Sequence, residues 1–235
     1  MTDTDLRQLT PAQATINDYW DSRARAYDRG QRRPGRAEED HVLWRELLRP
    51  HVSGPRALDV GCGSGFLSRV LDDLGAAVTG IDLSEQMLEI AREHSPGIEF
   101  HRGDAVDPAV SSGFDLVASR YVLWTLTDPA RALRRWHELL RPHGQLLLID
   151  APWFPRGIDA NPTPGFREHY RADVRERLPL AEGFSIAKVA RLVTAAGFRD
   201  LEVIPLTKVY ELDRATGAAP GHEPTLQYLF VSRRS

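Results

Sequence analysis

Apolar and polar positions along this chain switch between two periods. Residues 10–50 follow a helical period. Thr10-Pro11 reads as an N-cap followed by proline at the first helical position. A Gly- and Arg-rich break runs from Arg29 to Arg36. A second helix follows from Glu38 to Arg49, with Leu43, Trp44, Leu47 and Leu48 on one face. From Arg56 onward, short apolar runs alternate with helical segments. Ala57–Val60, Ala77–Ile81, Ile98–Phe100, Phe114–Ala118 and Gln145–Ile149 read as strands. Between them, Phe66, Leu67, Val70, Leu71 and Leu74 repeat at helical spacing. Ser84 caps a helix through Ala91, and Asp128-Pro129 opens one with Leu133, Trp136, Leu139 and Leu140 on a shared face.

Strands alternating with helices predict crossover units and a mostly parallel sheet, an α/β doubly wound class. Residues 151–184 break the rhythm and are rich in Pro, Arg and aromatics. Ser185 then caps a helix ending at Gly197, and Leu201–Leu206 and Leu226–Val231 read as two further strands. With no helix expected between these last two, they should pair as an antiparallel hairpin. The expected organisation is one structural domain. Residues 1–55 form an N-terminal helical cover, and residues 56–235 form a core with an insert at 151–184.

Composition acts mainly by exclusion. Thirty basic and 33 acidic residues leave a formal net charge of -3, which gives no general attraction for nucleic acid. Lys188 and Lys208 are the only lysines, so nearly every cation is an arginine. Cys62 is the only cysteine, so no internal disulfide forms and a cytoplasmic setting is expected. No apolar run reaches the ~18–20 residues of a membrane helix. Met1–Gln8 carries Asp3 and Asp5 and does not read as a signal peptide. The eight histidines show no i, i+4 pair and no cluster with cysteine, so no metal is expected. The partner expected is a small molecule, with no nucleic acid and no membrane, for a monomer or homodimer.

The most informative segment is Leu58-Asp59-Val60-Gly61-Cys62-Gly63-Ser64-Gly65-Phe66. Three glycines between a strand and a helix let a ligand approach the backbone. The dinucleotide fingerprint needs glycine where Phe66 stands, and no Lys or Arg lies between Ala57 and Ser68. A cofactor without phosphates fits better than a pyrophosphate. Asp82 ends the second strand, where a carboxylate accepts ribose hydroxyls. Asp104 ends the third, in reach of an adenine amino group. Asp59 precedes the glycine turn and favours an ammonium or sulfonium. Three carboxylates around a lysine-free loop suit a cationic adenosyl ligand.

These residues resemble class I S-adenosylmethionine-dependent methyltransferases. The likeness rests on Asp59-Val-Gly-Cys-Gly-Ser-Gly65, Gly80-Ile-Asp82-Leu-Ser84 and Gly103-Asp104-Ala105. It continues in Phe114-Asp-Leu-Val-Ala-Ser119 and in Leu139-Leu-Arg-Pro-His-Gly144. The resemblance implies a Rossmann-like seven-stranded sheet of order 3-2-1-4-5-7-6 with strand 7 antiparallel. It implies S-adenosyl-L-methionine as cofactor and S-adenosyl-L-homocysteine as product. Gly61, Cys62 and Gly63 would line the methionine part, Asp82 the ribose, and Asp104 with Ala105 the adenine. The backbone at Ser119-Arg120 would meet the methionine amino group. Phe66, Leu83 and Met87 join the cofactor-binding candidates.

Tyr19-Trp-Asp-Ser-Arg23-Ala-Arg-Ala-Tyr27-Asp resembles the N-terminal lid of many small-molecule methyltransferases. By that likeness Tyr27 closes over the cofactor, Arg23 faces its carboxylate, and Tyr19 belongs to the same set. Arg120-Tyr121-Val-Leu-Trp124 resembles an Arg-His-Val-Leu-Trp pattern of bacterial enzymes, with Tyr121 at the histidine. Candidate catalytic residues are Tyr121, His41 and His169. Trp124, Trp153, Phe154 and Tyr170 are candidate substrate walls. The Asn/Asp-Pro-Pro-aromatic motif of base-amine methylation is absent. The function expected is methyl transfer to an N, O or C nucleophile of a small molecule in bacterial secondary metabolism. Two alternatives stay open: a nicotinamide-dependent oxidoreductase and a non-catalytic S-adenosylmethionine-binding protein.

Overall fold

Four helices begin where a side-chain oxygen replaces a missing acceptor. Thr10 accepts from Gln13 at the start of α1 (Pro11–Gln31), and Ser84 from Met87 at the start of α4 (Glu85–His94). Asp128 does the same for α5 (Pro129–Leu139) and Ser185 for α8 (Ile186–Ala195). All four caps are those read from the sequence. The computed structural model describes residues 9–218 and 223–235, so Met1–Gln8 and the reading of that segment lie outside the described residues.

The sheet is built from β1 (Arg56–Val60), β2 (Ala77–Asp82), β3 (Glu99–Arg102), β4 (Phe114–Arg120), β5 (Leu140–Asp150), β6 (Phe198–Pro205) and β7 (Tyr228–Arg234). Their order is β3-β2-β1-β4-β5-β7-β6. β1 pairs in parallel with both β2 and β4, and Asp59 lies opposite Gly80 on one side and Ala118 on the other. β7 runs antiparallel to β5 and to β6. The order and the reversed last strand agree with the expectation.

Strands covered on both faces read as near-continuous apolar runs. Leu146, Leu147, Leu148 and Ile149 of β5 are all fully buried. Crossover helix α3 (Phe66–Asp73) packs Leu67, Val70 and Leu71 in one layer, while α5 packs Leu133, Trp136 and Leu139 in the other. Trp136 donates its indole N–H to the Ala105 carbonyl at 2.8 Å, tying α5 to the loop after β3. No helix among the described residues is long and apolar enough to cross a membrane.

One expectation needs correction. A helix, α9 (Thr207–Thr216), does lie between β6 and β7, although the two strands pair antiparallel as expected. Its buried residues are Val209 and Asp213, so it carries almost no apolar stripe for a sequence pattern to reveal. Asp213 is instead held by Arg36 at 2.5 Å, at the start of α2 (Arg36–Leu48). The insert contributes two single-turn helices, α6 (Phe166–His169) and α7 (Ala172–Arg175).

The cover helix α1 is clamped along α4. Asp21 accepts from the Ser84 hydroxyl at 2.5 Å and from the Gln86 amide at 3.3 Å. Further along, Asp28 meets His94 at 3.1 Å and Arg25 meets Glu93 at 3.5 Å. Exposed pairs such as the last contribute about 0–1 kcal/mol. The firmer hold comes from Ala24, Met87 and Ile90, packed with Trp20 and Tyr27. Asp21→Ala should speed protease cleavage within α1 several-fold while the circular dichroism of the core stays unchanged. An unaltered cleavage rate would show that the apolar contacts alone seat the helix.

Candidate active site

β1 and β4 are neighbours, but their chains leave the sheet toward opposite faces, to α3 and α5. A crevice opens at their carboxyl ends, the usual ligand position in doubly wound sheets. Gly61 forms its floor with φ 70°, a conformation that disfavours a side chain. A Cβ there would sit 2.3 Å from a methyl of Val122, so only glycine lets the β1 and β4 loops meet. Gly63, with φ 52°, lines the same cavity. The cavity measures about 800 Å³ with its open mouth.

Its acids sit where the sequence places them. Asp82 accepts the Gly63 amide at 2.8 Å on one oxygen and the Ser84 amide at 2.9 Å on the other. Each oxygen keeps a further acceptor position. Asp104 accepts the Val106 amide at 2.9 Å. Both line the cavity, with Leu83, Met87 and Ala105 nearby, and burial pushes both carboxyls up. Asp59 borders a smaller pocket under the glycine turn that also touches Tyr27 and Arg120. It accepts from the Ser68 hydroxyl at 2.6 Å, and its other oxygen has no hydrogen-bond partner. Burial pushes its carboxyl up to about 7.

The end of β4 turns sharply. Tyr121 has φ 66°, left-handed for a residue with a side chain, which costs about 1–3 kcal/mol. The turn sets Arg120 and Tyr121 side by side at the cavity, with Tyr27 across from them. The opposite wall comes from one face of α1, namely Gln13, Ile16, Asn17 and Trp20, together with Trp124 and Leu126. Asn17 donates its amide N–H to Asp21 at 3.1 Å, so its oxygen is the free end. That oxygen and the Gln13 side-chain oxygen are both buried without a partner.

Several expected residues lie elsewhere. His41 Nε2 is hydrogen-bonded to Asp73 at 2.6 Å and does not line the cavity. The His169 ring is bonded to the Gly165 carbonyl at 2.7 Å and packs on Tyr19, away from the cavity. Tyr121 lines the cavity, but burial raises its phenol and its proton is directed to Gln227, so it is not poised to take a proton. Tyr19 is turned into the insert against Phe166 and Tyr170, and burial pushes its phenol up to about 12. Arg23 lies over the Tyr19 ring at 5.7 Å and borders no pocket described here.

Cys62 and Phe66 border only the smaller pocket among those next to the glycine turn. The Cys62 side chain packs with Leu88, Ala91 and Phe100. Trp153 and Phe154 line a separate cleft beneath the insert, and Tyr170 stacks between Phe166 and Trp124. Of the four expected substrate walls only Trp124 reaches the cavity. Aromatic side chains gain more by packing on one another than by standing alone at a wall. Gln13, Ile16, Asn17 and Trp20 of α1 were missed, although they fall at helical spacing with the expected Tyr27. Among the described residues, no group of three or more His, Cys, Asp or Glu side chains can hold a metal ion.

Residues 58–148 match a family model described as a methyltransferase domain. A demethylmenaquinone methyltransferase of Chlorobaculum parvum is 31% identical over 71% of this chain and 76% of its own length. The chain belongs to the S-adenosylmethionine-dependent methyltransferase family. A ubiquinone biosynthesis O-methyltransferase of Pseudomonas aeruginosa is 31% identical over 63% of this methyltransferase and 64% of its own, a little under two thirds. Among solved structures, a methyltransferase of Thermotoga maritima shares the fold with a TM-score of 0.66 at 18% identity, covering 95% of this chain and 100% of that one. The oxidoreductase alternative falls with this family membership. The cofactor of the family is S-adenosylmethionine, and the donor set fits it. The glycine turn carries no cation, Asp82 offers acceptors to the cavity, and the partnerless Asp59 oxygen suits a positive group.

Asp82→Ala should weaken S-adenosylmethionine binding more than tenfold in calorimetry with the fold intact. Unchanged affinity would remove the ribose reading. Asp59 also makes a signed prediction for the cofactor-free methyltransferase. Its folded-state carboxyl, at about 7, binds a proton that the unfolded chain has released above the ordinary aspartate value of about 4. Its contribution to stability therefore falls as pH rises from about 4 to 7 and is flat above. In urea denaturation, wild type should lose stability relative to Asp59→Asn across that window. A difference constant with pH would refute the raised value.

Proposed function

We propose that this methyltransferase transfers a methyl group to a nucleophile of a small, uncharged, largely planar molecule in bacterial biosynthetic metabolism. In this reading Asp82 would hold the ribose, Asp104 and Ala105 the adenine edge, and Gly61 and Gly63 would border the methionine part. When bound, the cofactor supplies an electrophilic methyl group on a sulfonium. Tyr27 and the α1 face would exclude water above it.

The observation that carries the substrate class is the chemistry of the second wall. Ile16, Trp20, Trp124 and Leu126 are apolar, Gln13 and Asn17 are amides, and every charged residue lining the cavity belongs to Asp82, Asp104 or Arg120. Apolar rings with a few fixed polar groups suit a neutral ring system. The quinone-forming relatives point the same way. No histidine lines the cavity among the described residues, so orientation and water exclusion supply the rate. An acidic phenol, an activated ring carbon or a neutral amine needs no strong base.

Residues 1–55 act in this reading as the cover and 56–235 as the core. The buried, unpaired Cys62 supports a cytoplasmic setting, and the near-neutral net charge supports a function without nucleic acid. Labelled methyl transfer should favour quinols and catechols over phosphoethanolamine by at least tenfold in kcat/KM. A preference for the charged amine would overturn the reading. Asn17→Leu removes one acceptor worth about 1 kcal/mol and should raise KM for the quinol roughly fivefold. The affinity for S-adenosylmethionine should stay within twofold.

A further inference from the structure

Arg120 is a cation without a counter-ion. Among the described residues it makes no ion pair, and its Nε is buried with no hydrogen-bond partner. Its guanidinium lies 3.9 Å from the Tyr121 ring centroid, 4.7 Å from that of Phe66 and 4.8 Å from that of Trp44. Stacking on rings accommodates a guanidinium, but leaving one of its donors buried and unpaired is costly. The same residue borders the main cavity, the pocket under the glycine turn and a third cleft toward α2 and α9.

A chain of directed hydrogen bonds fixes this side chain. Arg36 donates to one oxygen of Asp213, and Gln227 donates its amide N–H to the other at 2.9 Å. An ionised carboxylate only accepts, so the Gln227 amide has one allowed orientation, with its oxygen outward. That oxygen accepts the Tyr121 hydroxyl proton at 2.5 Å. The phenol has then given its hydrogen away, and its lone pair accepts from Arg120 Nη2 at 3.0 Å. Every donor direction from α2 to the cavity follows from the carboxylate of Asp213.

Resting on the cofactor reading above, we propose that Arg120 binds the carboxylate of the cofactor's methionine moiety, with Tyr121, Gln227 and Asp213 as its positioning residues. The pocket it shares with Asp59 supplies complementary ends for a zwitterion. The partnerless Asp59 oxygen faces an ammonium, and the partnerless Arg120 donor faces a carboxylate. The arginine expected for this task from the lid, Arg23, lines none of the three pockets that Arg120 borders.

The test compares S-adenosylmethionine with its decarboxylated analogue, which differs only by the carboxylate, using calorimetry on the full chain. Wild type should prefer S-adenosylmethionine at least tenfold. Arg120→Leu should bring that preference to within twofold of unity while the analogue's affinity changes less than threefold. Arg120→Lys, which keeps the charge without the fork, should fall between. Tyr121→Phe and Gln227→Leu should each cut the preference at least threefold, again with little change for the analogue. Tyr121→Phe removes one hydroxyl from an unchanged ring, so it remains informative if Gln227→Leu fails to fold. Parallel losses for both ligands, or an intact preference in Arg120→Leu, would overturn the assignment. Failure of wild type to bind either ligand would overturn the cofactor reading itself.

Discussion

The site depends on β1 lying between β2 and β4, with its two neighbours sending their chains to opposite faces. Parallel crossovers of one hand leave no other place for an open crevice in this sheet. The glycine turn after β1 and the strained turn after β4 then face each other, and the contact between Gly61 and Val122 sets how closely. Asp82 and Asp104, at the ends of β2 and β3, fall along the same edge without special arrangement. The placement of the acids is a property of strand order, before any side chain is considered.

This explains which parts were legible in the sequence. Strand ends, caps and the glycine turn are local signals, and each of the four side-chain caps read from the sequence appears in the structure. The cover and insert are written in aromatics and arginines, and those residue types serve packing and binding equally well. Tyr19, Tyr170, Trp153 and Phe154 were indistinguishable from pocket walls by type, and they pack together instead. Arg23 and Arg120 both fell at the methionine end in the sequence, and only geometry separates them: both stack on rings, but Arg120 alone of the two borders the cavity. α9 was invisible because its inward face carries Asp213, whose partner Arg36 is distant in sequence. The α1 wall was available as a helical repeat, but its polar members Gln13 and Asn17 disguised it.

The pocket gathers groups that burial disfavours. Asp59 is pushed up to about 7, Arg120 stacks without an ion pair among the described residues, and Tyr121 carries backbone strain. Isolated buried charges destabilise a fold unless something pairs with them. A zwitterionic ligand held as proposed would relieve two of these at once and would couple ligand binding to fold stability.

Along α1 one broad face serves two neighbours. Positions 13, 16, 17 and 20 line the cavity, while 21, 24 and 28 meet α4. Trp20 packs on the α4 contacts as well, and Asn17 donates to Asp21, so the two sets are joined. A change in the cavity wall is therefore felt where the helix is seated, and the shape of the pocket and its closure are inherited together.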